Sequence, residues 1–383
     1  MRLKEVIIAI PVAAALLIGA SNVHAAEVTV SILTDEALGL GTTHGLRKVT
    51  AALEAKGVDV RRVPEPPSGR GNLLIVAGLG DGSGPASNLL DATGVVLPEG
   101  PESLAIKNTT LEGKRALLVA GSDDRGLMYA LLDVADRIDW STDPYDPLSE
   151  VRDATEKPFM PERALSIYTM HRKTFEQFFY DEEYWAKYLD MLAENRFNTF
   201  ALLLGYENWG YFAPPYPFFF DVDGYPDIHV VGLTAEEQQK NLKALNRLIE
   251  MTHERGLDFT LGIWDHIYRG GVQGPTEHAN QPTPGVVWGL TADNLVPYTK
   301  TALTKFLREV PNIDAIQFRM HGESGLRRSE MEDFWTDVYR IMKASGGNIR
   351  FDARAKNFPD SLIDLAFEVG VPIRICTKVW MER

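Results

Sequence analysis

From Ala315 to Gly325 the chain reads AIQFRMHGESG, and within it Arg319, His321 and Glu323 alternate with apolar or small residues. Side chains alternate across a strand, so Ile316, Phe318 and Met320 would share an apolar face. Gln317, Arg319, His321 and Glu323 would share a polar face that ends in ionisable groups. Gly322 and Gly325 flank Glu323 and allow a sharp turn that presents its carboxylate at the rim of a binding mouth. Glu323 is the expected centre of the chemistry. The competing expectation is a buried carboxylate held in an ion-pair network with Arg319 or His321.

The same alternation recurs elsewhere. In DFTLGIWDHIY, Thr260, Gly262, Trp264 and His266 oppose Phe259, Leu261 and Ile263. In IRFDARAK, Arg350, Asp352, Arg354 and Lys356 oppose Ile349, Phe351, Ala353 and Ala355. In IRICTKVWME, Arg374, Cys376, Lys378, Trp380 and Glu382 oppose Ile373, Ile375, Thr377 and Val379. Unpaired buried charge is costly, so some of these cations must pair with Asp352 or Glu323. The surplus of Lys and Arg points to an anionic ligand such as a carboxylate-bearing sugar, the alternative being internal ion pairs. Trp264, His266, Tyr268 and Trp380 supply flat apolar surfaces with polar edges, the other half of a carbohydrate site.

Other chemistries fit less well. His321-Gly-Glu323 lacks the Pro-Cys-x-x-Cys partner of zinc deaminases, and no His-Glu-x-x-His occurs. Gly322-Glu323-Ser324-Gly325 is not a serine-nucleophile elbow. No metal and no cofactor are expected.

Parallel β/α units are the elements that would position these residues. Strands are predicted at 164–172, 198–206, 258–268, 315–323, 349–356 and 373–380, with helices at 181–195, 235–255, 292–309, 329–344 and 360–369. The fold class is therefore α/β, with a TIM-type (β/α) barrel over residues 163–383 of which about six of eight units are present. The stop after WMER falls at a strand end, and the apolar edges left open are expected to make the chain aggregate or find a partner, a homo-oligomer included. An open α/β sheet is the alternative. The loop GYENWGYFAPPYPFFFDVDGYPDIHVVG is expected to line or cover a sugar subsite, or to pack against the N-terminal domain.

Residues 26–140 read as a small accessory α/β domain. EVTVSILTD and NLLIVAGLG are its strands, with the helix HGLRKVTAALEAKG between them. A loop at 80–103 leads to a hairpin turning at Glu112 and Gly113, then to a helix capped by Ser122 or Asp123. That helix start lacks a phosphate-loop or dinucleotide glycine pattern. Residues 141–162, polar and proline-bearing, read as a linker.

Residues 1–25 have a basic start, an apolar core and small residues at the cleavage offsets, the pattern of a secretory signal peptide; a secreted or periplasmic product with no later membrane span is expected. The chain has 383 residues and a net charge of −14, a poor match for nucleic acid, whose binding rests on phosphate neutralisation. Cys376 is the only cysteine, which excludes an intrachain disulfide and a multi-thiolate metal site.

A small α/β domain ending in SDDRGLMYALLDVADRI, followed by a barrel with Glu323 at the end of its fourth strand, resembles the family 67 α-glucuronidases and, more distantly, the family 20 β-hexosaminidases. The family 67 motif is Asn-Ser-Glu-Gly, and HGESG matches its Glu and small neighbours. Gly322 stands where family 20 has an Asp, which disfavours substrate-assisted hydrolysis of N-acetylhexosaminides. The resemblance implies an inverting exo-acting glycosidase on uronic-acid-containing glycans, with Glu323 as general acid and a base from a later strand. Glu382 is then the expected base and Asp265 a weaker one, while Arg319, Lys356 and Lys378 would receive the uronate carboxylate, with His321, Trp264, His266 and Trp380 as the other substrate-binding residues. The alternative is a non-catalytic glycan-binding protein or an inactive barrel fragment.

Overall fold

The computed structural model describes residues 28–67, 72–168, 172–204, 214–264, 282, 284–285, 287–291, 293–319, 326, 328–346, 348–354 and 358–376. The first sheet contains β1 (Thr29–Thr34), β2 (Asp59–Val63), β3 (Asn72–Leu79), β4 (Leu104–Leu111), β5 (Lys114–Gly121) and β6 (Ala154–Glu156), in the order β2-β1-β3-β5-β4-β6. It carries α1 (Leu40–Ala55), α2 (Pro85–Thr93) and α3 (Asp124–Trp140).

This sheet is buried on both faces, which is why its inner strands read as continuous apolar runs. Ile32, Ile75, Leu117 and Val119 pack under α1 and α3, while Leu33, Leu74, Val76 and Leu118 pack under α2. The hairpin turns as expected, with Glu112 and Gly113 both at positive φ (51° and 75°). Two features depart from the sequence reading. The segment 80–103 contains α2, started by Pro85 after Gly84 and stopped by Gly94 in the left-handed region. The 141–162 segment contributes β6, which pairs antiparallel with β4.

Two helix N-termini are filled by the chain's own carboxylates. Asp123 caps α3, accepting from Gly126 N at 2.8 Å. Asp124, one residue on, accepts from Gly41 N (2.8 Å) and Thr42 N (2.9 Å) at the start of α1.

The second sheet contains β7 (Ala164–Tyr168), β8 (Thr199–Leu204), β10 (Asp258–Trp264), β12 (Ala315–Arg319), β13 (Arg350–Arg354) and β14 (Ile373–Cys376). A short antiparallel pair, β9 (His229–Val230) and β11 (Val287–Trp288), lies apart. The helices are α4 (Arg172–Phe179), α5 (Glu182–Glu194), α6 (Ala235–His253), α7 (Leu295–Glu309), α8 (Met331–Ala344) and α9 (Asp360–Val369). The expected helices are present, and α4 is an addition: the first strand ends at Tyr168, and Arg172 already belongs to this helix.

Strand order across the second sheet is the order in the chain, and every neighbouring pair is parallel. A doubly wound sheet reverses its order; a singly wound arc of this kind is the arrangement of a (β/α) barrel. Its two faces differ accordingly. Phe200, Leu202, Phe259, Leu261, Ile316, Phe318 and Phe351 join the helices in one core. The opposite face carries mainly small and polar residues, with Tyr168 and Leu203 as exceptions.

Two charged networks bind the units together. Glu102, 7% exposed, accepts from Arg125 Nη1 (3.0 Å) and Asn198 Nδ2 (2.8 Å) and pairs with Arg163 through its other oxygen. Arg125 continues to Asp258 Oδ1 (2.8 Å) and the Gly256 carbonyl (2.6 Å). In the second network Lys48 of α1 meets Asp190 (2.7 Å) and Glu194 (2.9 Å) of α5, and Arg255 meets Asp190 at 2.5 Å.

His44 is buried beside this second network. Its Nδ1 accepts from Arg47 Nη2 at 3.3 Å, and its Nε2 lies 3.9 Å from Asp190 Oδ1. Burial pushes its pKa from 6.5 down to about 4, helped by Arg255, Lys48 and Arg47 against the pull of Asp190. The unfolded chain therefore binds a proton here at a higher pH than the folded one. The stability from neutral His44 is fully present above pH 6.5 and is lost as pH falls toward about 4, a loss of up to about 3 kcal/mol. His253 has the opposite sign: its bond to Asp314 (2.7 Å) raises its pKa, so its contribution is present below 6.5 and lost as pH rises through the raised value. His44→Gln is expected to flatten the fall in Tm between pH 6.5 and 4; parallel Tm curves for the two proteins would contradict this assignment.

Candidate functional site

Backbone register fixes how the inner face of the second sheet is assembled. Tyr168, Leu203, Gly262, Gln317, Asp352 and Arg374 stand in one row across its strands. Ser166, Ala201, Thr260, Ala315 and Arg350 form the row toward the strand starts. At the strand ends Trp264 pairs with Arg319, and Arg354 with Cys376.

Apart from Arg350, the lower row is small. Ala, Ser and Thr there leave space that bulky branched residues fill in most barrel interiors. The result is a cavity of about 540 Å³ lined by Ser166, Thr199, Ala201, Thr260, Gln317 and Asp352 among others. Gly262 is required in the middle row, because a Cβ there would come within 2.7 Å of the Leu203 side chain that leans across it. Thr260, 3% exposed, has a hydroxyl with no hydrogen-bond partner.

Asp352 is the charged centre of this face and is fully buried. Arg350 reaches it with Nε to Oδ1 at 2.7 Å and Nη2 to Oδ2 at 3.3 Å, and Arg374 pairs with the same Oδ2. Burial pushes the Asp352 carboxyl above its ordinary value, while Arg350 pulls it back. Glu162, just before β7, pairs with Arg374 and lies 4.0 Å from Arg350. The two arginines are therefore neutralised by two carboxylates. Of the two expectations for these cations, Arg350 and Arg374 follow the second: they form internal ion pairs, with Asp352 as one counter-ion. Glu162 was missed in the sequence reading because it lies in the segment read as a linker; the signal was the need of buried arginines for counter-ions.

The other candidate residues are placed by their elements alone. Glu323, His321, Glu382, His266, Asp265, Lys356, Lys378 and Trp380 lie outside the described residues, as do the side chains of Arg319 and Trp264. The backbone of Arg319 ends β12, the fourth strand of the arc, and Glu323 follows four positions later in the sequence. Trp264 ends β10 and directly precedes Asp265 and His266. Lys356 follows the end of β13, and Lys378, Trp380 and Glu382 follow β14. All six strands run the same way, so these residues follow the carboxyl ends of strands of one parallel sheet, the end at which (β/α) barrels build their sites.

The aromatic loop after β8 behaves differently from either expectation over its described part, 214–232. Tyr216, Phe218, Phe219 and Phe220 are buried in the barrel's helical core, with Phe306 of α7 in ring contact with Tyr216, Phe219 and Phe220. Buried amides of α6 hold its backbone: Asn241 Nδ2 donates to the Phe218 carbonyl (2.8 Å) and Gln238 Nε2 to that of Pro217 (3.0 Å). These aromatics serve packing. Among the described residues no group of three His, Cys, Asp or Glu is arranged to hold a metal, and no helix is long and apolar enough to cross a membrane.

No protein-family model matches this sequence, and no curated protein matches it. Solved structures do match, among them two glycoside hydrolases, so the fold is one that glycoside hydrolases use. A GH138 enzyme targeting pectin rhamnogalacturonan II superposes with a TM-score of 0.63 at 17% identity, covering 91% of this chain and 38% of its own. CpGH84D, from family GH84, superposes with a TM-score of 0.54 at 10% identity, covering 92% of this chain and 52% of its own. The chain thus spans well under two thirds of either neighbour, and at these identities the likeness is one of fold.

Proposed function

We propose that this chain is part of an exported glycoside hydrolase acting at the end of a uronic-acid-containing glycan, with Glu323 as general acid. The observation that carries the reading is the singly wound parallel arc, whose fourth strand ends at Arg319 and runs into His-Gly-Glu-Ser-Gly. That position, past the carboxyl end of a barrel strand, is where a catalytic carboxylate belongs. The likeness to glycoside hydrolases, one of which targets a pectin, supports a carbohydrate substrate.

Glu323 protonates the leaving oxygen, and a second carboxylate activates water across the ring in the inverting, α-glucuronidase-like scheme. Glu382 is the proposed base, with Asp265 next. Because Arg350 and Arg374 are paired with Asp352 and Glu162, recognition of the uronate carboxylate falls to Arg319, Lys356 and Lys378 at the strand ends, with His321 beside them. Trp264, His266 and Trp380 supply the stacking surfaces. Residues 1–25 act as the export signal in this reading, and the product is secreted or periplasmic.

A panel of aryl glycosides and uronic-acid-capped oligosaccharides tests the proposal. Turnover of a uronide is the expected result. Saturable binding of the same compounds without turnover would replace the enzyme with a glycan-binding protein.

A further inference from the structure

Where the unit built on the first sheet meets the unit built on the second, a histidine is sealed in a tight seam. His44 of α1 is 2% exposed. Near the start of α1 the turn after α6 packs so closely that a Cβ on Gly256 would come within 3.2 Å of Gly41 Cα and 3.1 Å of Met128 Sδ. Ala193 of α5 has no exposed surface and belongs to the core beneath the first sheet, although α5 is part of the second unit. The partners of His44 hold it in one protonation state. Nδ1 accepts from Arg47 Nη2 at 3.3 Å, which places the ring's proton on Nε2, and Nε2 has no hydrogen-bond partner. Asp190 Oδ1 lies 3.9 Å away, but Asp190 is already engaged by Arg255 (2.5 Å) and Lys48 (2.7 Å). A second proton could enter the ring only at Nδ1, against the Arg47 guanidinium.

We infer that His44 is an acid-sensitive lock on this seam, whose protonation loosens the first unit from the second before either unit unfolds. The charges around it come from each element packed there. Arg47 and Lys48 are on α1, Asp190 and Glu194 on α5, Glu254 and Arg255 in the turn after α6, and Asp136 on α3 beside Lys48 and Glu194. A charged imidazole would join Arg47, Lys48 and Arg255, while the carboxylate that pulls on it, Asp190, is already shared by two of those cations. Parting of the units returns the ring to water. The closed seam is therefore fully favoured above pH 6.5 and progressively less so as pH falls toward about 4. The seam is what yields, because the apolar cores of the two units are separate clusters and the charged group lies between them. This assignment does not depend on the glycosidase reading.

Two single-thiol versions of the full chain test the lock, each with Cys376→Ser to remove the only native cysteine. Ala193→Cys places a thiol in the seam, and Ala302→Cys places one in the core of the second unit, where Ala302 of α7 has no exposed surface. Native-state labelling is followed with a disulfide reagent that reacts at acid pH, and each rate is divided by that of a small free thiol at the same pH. Labelling of Ala193→Cys is expected to rise about twentyfold from about pH 7 to about pH 5, the factor by which a ring that titrates at 6.5 when open and about 4 when closed shifts the opening equilibrium. Ala302→Cys is expected to keep its rate, and His44→Gln to remove the rise at Ala193→Cys. A flat rate in the seam, equal rises at both sites, or a rise that persists in His44→Gln overturns the lock. If His44→Gln does not fold, the two thiols decide between themselves: acceleration confined to Ala193→Cys supports the lock, and equal acceleration at Ala302→Cys refutes it.

Discussion

Glu323→Gln is expected to lower turnover of a glycan substrate by roughly 10²–10⁴-fold, the usual contribution of a positioned general acid. The size of the loss should depend on the leaving group. An alcohol leaving from a natural glycan is a poor leaving group and needs its proton in the transition state, whereas a nitrophenolate departs with little help. The variant should therefore lose most activity on oligosaccharides and much less on activated aryl glycosides. Loss of the base, by Glu382→Gln, would instead slow both substrates alike, because both need an activated water. The alkaline limb of the pH–rate profile should also disappear in Glu323→Gln, since that limb reports ionisation of the acid. Equal losses on both substrate types would remove Glu323 from the acid's role.

Glu102→Gln is expected to destabilise the chain by about 3–5 kcal/mol. Glu102 is 7% exposed and is shared by Arg125, Arg163 and Asn198 at the junction between the two sheets. Removing its charge leaves the largely buried Arg163 guanidinium without this carboxylate and Arg125 with Asp258 alone, and an amide NH₂ would face donors. Its backbone is held at φ 61°, with its N–H donating to Asp123 at 2.8 Å, so the loop cannot easily relax. The comparison is Asp59→Asn, which breaks an exposed pair with Arg61 and should cost less than about 1 kcal/mol. Denaturant midpoints that fall equally for the two variants would contradict the assigned role of Glu102.

Much of the scaffold was legible because the two sheets bury their strands differently. The first is covered on both faces, so its strands read as apolar runs; the second is covered on one, so period-two alternation separates Phe318 from Gln317 and Phe351 from Asp352. Local signals failed where tertiary contacts decide. α2 was hidden in a stretch rich in Gly, Pro and Ser, and β6 is three residues held by β4. The aromatic loop after β8 looked like a ligand surface because composition does not reveal that α6 amides and Phe306 claim it. Ion pairing was the hardest part to foresee. Alternation placed Arg350 and Arg374 with Asp352 on one face, but not Glu162, which comes from the other edge of the sheet.

The central claim is a uronate-directed glycosidase, and the most direct measurement is the identity of the sugar released from a matched pair of oligosaccharides, one capped by a uronic acid and one carrying the same cap with its carboxyl reduced to an alcohol. The account predicts free uronic acid from the first, little product from the second, and at least about a hundredfold less from the first with Glu323→Gln. Release of the reduced cap at the same rate, or of a neutral sugar from within the chain, would contradict it.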